Sequence, residues 1–164
     1  MKATIQNAEQ DGAPTLVLYG VIGGWDDDGI HASDVARVLS ELREARRIVV
    51  RINSPGGDAF EGVAIHNILT AHPADIEVRI DGMALSAASV VAMAGDRIVM
   101  ARNAMMMIHD PWTFAMGDAA ALRGEADRLD KVAGAIASTY AARTGMTIEA
   151  ARELMAAEPW LTAE

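Results

Sequence analysis

Arg51-Ile-Asn-Ser-Pro-Gly-Gly57, Gly82-Met-Ala-Leu-Ser86-Ala-Ala-Ser89 and Met105-Met-Met-Ile-His109-Asp-Pro111 are the runs on which the reading of this chain turns. A glycine pair follows one apolar strand, a serine follows a second, and a histidine closes a third. Serine protease chemistry requires parts of these kinds: a nucleophile, a base to take its proton, and backbone N–H groups to hold an oxyanion.

Outward from these runs, strands alternate with helices. Ile48-Val-Val-Arg-Ile52 leads into the glycines, and Asp58-Ala-Phe-Glu61 behind them has the form of a capping box opening a helix through about Thr70. Ile76-Glu-Val-Arg-Ile80 alternates as a strand. Ser86 to Ala94 is a short helix so apolar that it must be buried on every side. Arg97–Met100 and Ala104–Ile108 are further short strands. Upstream, residues 1–14 form an edge strand or loose arm, Thr15–Ile22 a buried strand, and Gly23–Gly29 a turn-rich loop. Ser33 is a candidate N-cap for a helix with Val35, Val38, Leu39 and Leu42 on one face. Downstream, Asp118 through Arg143 is a long amphipathic helix with Leu122, Leu129, Val132, Ile136 and Tyr140 near helical spacing. Gly145 ends it, and Thr147 caps a last helix to about Ala157. The pattern implies an α/β fold with mainly parallel pairing, as a single domain over residues 1–164.

Composition narrows the partners. A formal charge of −9 disfavours nucleic acid and anionic membranes. The absence of cysteine excludes disulfides, a thiolate nucleophile and cysteine-ligated metal, and fits a reducing cytoplasm. Met1–Gln6 lacks the apolar core of a signal peptide, and the longest apolar run, Ala87–Gly95, is too short to span a bilayer. The expectation is a soluble cytoplasmic protein. Asp26–Asp28 lacks the spacing of a calcium loop and is expected as a solvated loop; no metal and no cofactor is expected anywhere.

Each candidate residue also has a plain structural explanation. Gly56 and Gly57 let a substrate approach the backbone before a helix start, or simply turn the chain. Ser86 would sit at a helix N-terminus, where the dipole favours a developing alkoxide, with the Ala87 N–H beside it; Ser89, one turn deeper, competes with it. Both serines equally suit capping or packing. His109 has the position of a buried structural histidine, while His31, His66 and His72 look solvated. Met105–Met107 suit flexible core or interface filler. There is no Gly-x-Ser-x-Gly elbow and no phosphate loop.

Asn53-Ser-Pro-Gly-Gly57, Gly82-x-Ala-x-Ser86 and Met107-Ile-His109-x-Pro111, in that order and with a separation of 23 positions from Ser86 to His109, resemble the proteolytic subunit of the Clp protease family. The resemblance runs from Thr15 to Thr162. Gly23-Gly-Trp25, Ala94-Gly-Asp-Arg-Ile98, the methionine-rich strand, Ile108-His-Asp-Pro-Trp112 and Tyr140-Ala-Ala-Arg-Thr-Gly145 further resemble the phage branch, the head maturation (prohead) proteases. The resemblance implies a ClpP/crotonase-like α/β fold with repeated ββα units and a protruding long handle helix. It implies a serine endopeptidase in which Ser86 is the nucleophile and His109 the general base. Gly57 and Ala87 would form the oxyanion hole, and Gly56 and Pro111 would lie beside the bound substrate. The family's acid precedes an aromatic-Leu-Ser/Thr-Ala run, here Trp160-Leu-Thr-Ala163, which puts Glu158 in the acid position with Asp110 as the alternative. Leu85 and Ala88 depart from the family, which has a smaller residue and a glycine there. The resemblance further implies a homo-oligomer in one ring or stacked rings. Its substrates would be scaffold and capsid proteins, cut inside an immature phage head in the host cytoplasm. It also implies a family segment continuing past Glu164, so that this chain is C-terminally truncated. A crotonase-like acyl-CoA enzyme and an inactive capsid-assembly module of the same fold remain the other readings.

Overall fold

The computed structural model describes residues 12–24 and 29–164, and the backbone of 4–6. Trp25 and the acidic triplet Asp26–Asp28 lie outside the described residues, as does most of the expected N-terminal arm. The described chain falls into two compact units, Met1–Met107 with Trp160–Glu164, and Ile108–Pro159.

The first unit is built on a sheet in the order β1 (Thr4–Gln6), β2 (Thr15–Tyr19), β3 (Arg47–Ser54), β4 (Asp75–Leu85), β6 (Met105–Met107), β7 (Trp160–Leu161), with β5 (Arg97–Met100) also paired to β4. The pairs among β2, β3, β4, β5 and β6 are parallel, as strand–helix alternation predicts; β1–β2 and β6–β7 are antiparallel. Period-two burial sends Ile48, Val50 and Ile52 of β3 and Ile76, Val78 and Ile80 of β4 to one side. There they form one cluster with Val35, Val38 and Leu39 of α1 (Ala32–Glu41), Ile65 and Leu69 of α2 (Ala59–Thr70), and Val91 of α3 (Ala87–Ala92). Each such side chain taken out of water stabilises the fold by about 1.5–3 kcal/mol.

The alternate positions carry charge. Glu77, 5% exposed, accepts from Arg47 (2.6 Å), Arg79 (2.6 Å) and Arg97 (3.0 Å). The Arg79 hydrogen bond, working against burial and joined by those of Arg47 and Arg97, lowers the Glu77 carboxyl from 4.5 to about 2. Asp81 accepts from Arg51 Nε (2.9 Å), Arg51 Nη2 (3.0 Å) and the Tyr19 hydroxyl (2.7 Å). Burial, with the Asp81 hydrogen bond and charge behind it, pushes the Tyr19 phenol up.

Several boundaries differ from expectation. The N-cap of α1 is His31 rather than Ser33, and His31 supplies no side-chain cap; the Ala32 N–H is instead taken by Glu61 Oε2 at 2.6 Å. Glu61 is therefore diverted from the capping box, of which the other half forms: Asp58 Oδ1 accepts from the N–H groups of Phe60 (2.8 Å) and Glu61 (2.9 Å). β4 continues five residues past Ile80, exchanging β5 for β6 as its partner. α3 is shorter than Ser86–Ala94, but all six of its residues are buried, as its composition required.

The second unit pairs α4 (Ala119–Thr144) with α5 (Ile148–Ala157). Asp118 and Thr147 cap their N-termini, and Gly145, at φ 78°, closes α4 in the left-handed region. Ala133, Ile136, Ala137 and Tyr140 of α4 are buried, as are Ala151 and Met155 of α5. Leu122, expected on the apolar face, is 44% exposed, because α4 buries only its C-terminal half. No described helix is long and apolar enough to cross a membrane.

Candidate active site

Two strand ends of the first unit deliver the serine and the glycines to one place. β3 ends at Ser54, which is fully buried and whose Oγ accepts the Gly56 N–H at 3.1 Å. The next residues turn through φ +90° at Gly56 and φ +147° at Gly57, a path open to glycine and strained for other residues. The loop is stitched to the end of the preceding segment by Ile22 N–H to Gly56 O and Asp58 N–H to Ile22 O, both 2.8 Å. The paired glycines differ: Gly56 is buried, whereas Gly57 is exposed.

β4 delivers Ser86. Its backbone lies at φ 53°, ψ −125°, a conformation L residues seldom adopt and one that costs about 1–3 kcal/mol where it persists. Three hydrogen bonds hold it. The Ser86 N–H donates to Met107 O (2.8 Å) on β6, and the Ser86 carbonyl accepts from the Ser89 N–H (2.9 Å) and Ser89 Oγ (2.5 Å). Ser89, fully buried, thus bonds to the backbone of the half-buried Ser86. The strained turn packs directly on the glycine loop: a Cβ at Gly56 would fall 2.4 Å from Leu85 O, 2.8 Å from Ser86 Cβ and 3.0 Å from Ala87 N. Gly56, Gly57, Ser86 and Ala87 are therefore brought together. With only six residues, α3 has a weak dipole, so the N–H groups themselves matter more here than the helix field expected from the sequence. Beside the loop opens a cavity of about 370 Å³, its wall including His31, Asp58, Phe60 and Glu61.

The other candidates lie in the second unit. His109 and Asp110 are half-buried and follow β6 by two and three residues; Asp110 Oδ1 is shut away from solvent with no hydrogen-bond partner. Pro111 is also half-buried. Glu158 is exposed and left-handed (φ 48°, ψ 51°), closing α5 with its N–H on Met155 O at 3.2 Å. Among the described residues no group of three or more His, Asp or Glu is arranged to hold a metal. Missed from the sequence were the supporting parts Ser54 and Gly62, and the support that Ser89, weighed there as a competing nucleophile, gives to the Ser86 carbonyl. Only Ser89 carried a signal, a polar residue inside an otherwise apolar run.

A family model described as Clp protease matches residues 27–164. The ATP-dependent Clp protease proteolytic subunit 3 of Rhodococcus jostii is 33% identical over 155 residues, 92% of this chain and 74% of that protein. The ATP-dependent Clp protease proteolytic subunit of Ligilactobacillus salivarius is 29% identical over 147 residues, 88% of this chain and 75% of that protein. Among solved structures, a point mutant of ClpP1 from Listeria monocytogenes superposes with a TM-score of 0.78 over 91% of this chain and 82% of that one. At 24% identity that likeness speaks for the fold.

Proposed function

This chain belongs to the Clp protease family, whose members are serine-type peptidases, and we propose that it cleaves proteins through an acyl-enzyme formed on Ser86. Ser86 Oγ attacks the substrate carbonyl while His109 takes its proton. The N–H groups of Gly57 and Ala87 hold the tetrahedral oxyanion, each donor contributing about 3 kcal/mol to the barrier reduction. His109 returns the proton to the leaving amine, and water repeats the sequence to release the acid. A substrate lying extended past Gly56 and Pro111 would add backbone hydrogen bonds. The observation that carries this reading is the strained Ser86 backbone seated on the Gly56-Gly57 loop. Chain continuity supports the base: His109 stands two residues beyond Met107, the residue whose carbonyl accepts the Ser86 N–H.

Glu158 is the orienting acid in this proposal. The position of β7 supports it, since Met107 faces Trp160 in an antiparallel pair, His109 follows Met107 by two residues and Glu158 precedes Trp160 by two. Self-association is supported by exposed apolar side chains of the second unit, Phe114 (92%) and Met116 (97%) among them. The ring assembly and the phage scaffold and capsid substrates rest on the family and branch motifs. A fluorophosphonate should label the wild-type protein and leave Ser86→Ala unlabelled. An unlabelled wild type, or Ser86→Ala labelled as strongly, overturns the mechanism.

A further inference from the structure

Gly62 is the fourth residue of α2, a position where alanine is the better helix former. It is buried, and a Cβ placed on it would lie 2.9 Å from Ala87 Cβ, 3.0 Å from Ala87 O and 3.4 Å from Ala87 Cα. The contrast with α4 is direct: Gly124 and Gly134 there have nothing within 4 Å of such an atom. So α2 crosses the start of α3 too closely for any side chain at 62. Gly56 crowds the same residue and the two before it, with a Cβ that would meet Leu85 O, Ser86 Cβ and Ala87 N. Ala87 is thereby gripped by two glycines on different segments of the chain, and Leu85 and Ser86 by one of them.

We propose that Gly62 is a positioning residue for catalysis, setting where Ser86 and the Ala87 N–H sit relative to the Gly56-Gly57 loop. This rests on the serine peptidase reading. α3 has no room to retreat, since Ala88, Val91 and Ala92 are fully buried and a close-packed interior transmits such a displacement. A methyl group at 62 must therefore shift Ala87, and with it the strained residue before it. Displacements of this kind misalign a nucleophile and its oxyanion donor without removing either, and catalysis is steeply sensitive to them.

The test compares wild type, Gly62→Ala and the helix control Gly124→Ala. Three quantities are read: the second-order rate of fluorophosphonate labelling, kcat and KM on a fluorogenic peptide, and the melting temperature. For Gly62→Ala the labelling rate and kcat should fall about tenfold or more, with KM within about twofold. Gly124→Ala should label at the wild-type rate. Because the clash is with Ala87, the loss should shrink in an Ala87→Gly background, measured against Ala87→Gly alone. If Gly62→Ala gives no cooperative melt, that double variant carries the comparison. Labelling of Gly62→Ala within about twofold of wild type overturns the positioning role, as does an equal loss in both backgrounds. A labelled wild type with an unaffected Gly62→Ala removes this role alone; an unlabelled wild type removes the peptidase reading and this role with it.

Discussion

Replacing Glu77 by glutamine keeps the shape of the side chain and removes the one negative charge that Arg47, Arg79 and Arg97 share. The carboxyl titrates at about 2 in the folded chain against 4.5 ordinarily. At about 1.4 kcal/mol per pH unit, that difference corresponds to about 3 kcal/mol of folding stability. Because the folded value lies below the unfolded one, the contribution is complete above about pH 5 and is lost as the pH falls from 4.5 towards 2. Side-chain exposure apportions the partners: Arg79 is 28% exposed and Arg97 70%, so the Arg97 pair is the more screened of the two. The assay is urea unfolding of wild type and Glu77→Gln between pH 7 and pH 2.5 at one fixed protein concentration, since assembly adds its own stabilisation. At pH 7 the variant should be less stable by about 3–5 kcal/mol, because three guanidinium groups are left around a neutral amide. The gap should narrow by about 3 kcal/mol at the acid end. Two curves that stay parallel across that range would refute the reasoning. The stakes reach the site, since Glu77 joins β3, β4 and β5 near their N-terminal ends and β4 carries Ser86 at its other end.

Gly134→Ala, in open space within α4, should raise stability by up to about 1 kcal/mol, seen as a higher urea midpoint with an unchanged slope. Glu158→Gly should relieve a left-handed backbone and stabilise by about 1 kcal/mol in thermal melts while lowering kcat; full activity with the stability gain would leave Glu158 only a helix cap. Phe114→Ser with Met116→Ser should weaken self-association in sedimentation experiments without changing the monomer's fold, as both side chains are almost wholly exposed. An unchanged association constant would move the interface elsewhere.

The helix side of the sheet could be read from Ile48, Val50 and Ile52 and from Ile76, Val78 and Ile80, because period-two burial of β-branched residues is a local signal. The far side could not. Glu77 occupies a position that alternation assigns to solvent, yet it is buried by arginines from three strands, and no window of sequence contains all four residues. Ser33 lost the capping role to a carboxylate 28 positions away, Glu61, for the same reason. Likewise the motifs named Gly56, Gly57, Ser86 and Ala87, whereas Gly62 acquires meaning only where α2 meets α3.

The proposed acid was the hardest residue to read because two positions compete for it. Asp110 adjoins His109, but neighbours along an extended chain present their side chains to opposite faces. Glu158 is 49 positions away in sequence, two residues before the start of β7. Met106 faces Leu161 and Met107 faces Trp160 in an antiparallel pair. Pro159 lacks the N–H to extend the ladder, and Glu158 is already turned into the left-handed cap of α5, so pairing stops before those two residues. A two-residue strand carries no periodicity of its own, which is why β7 escaped a reading of the sequence by pattern. Its partner strand supplies the information instead: the register is set at Met107 and Trp160, and the proposed acid two residues before Trp160 is a glutamate, one methylene longer than an aspartate, whose turned backbone is where that extra length would have to be taken up.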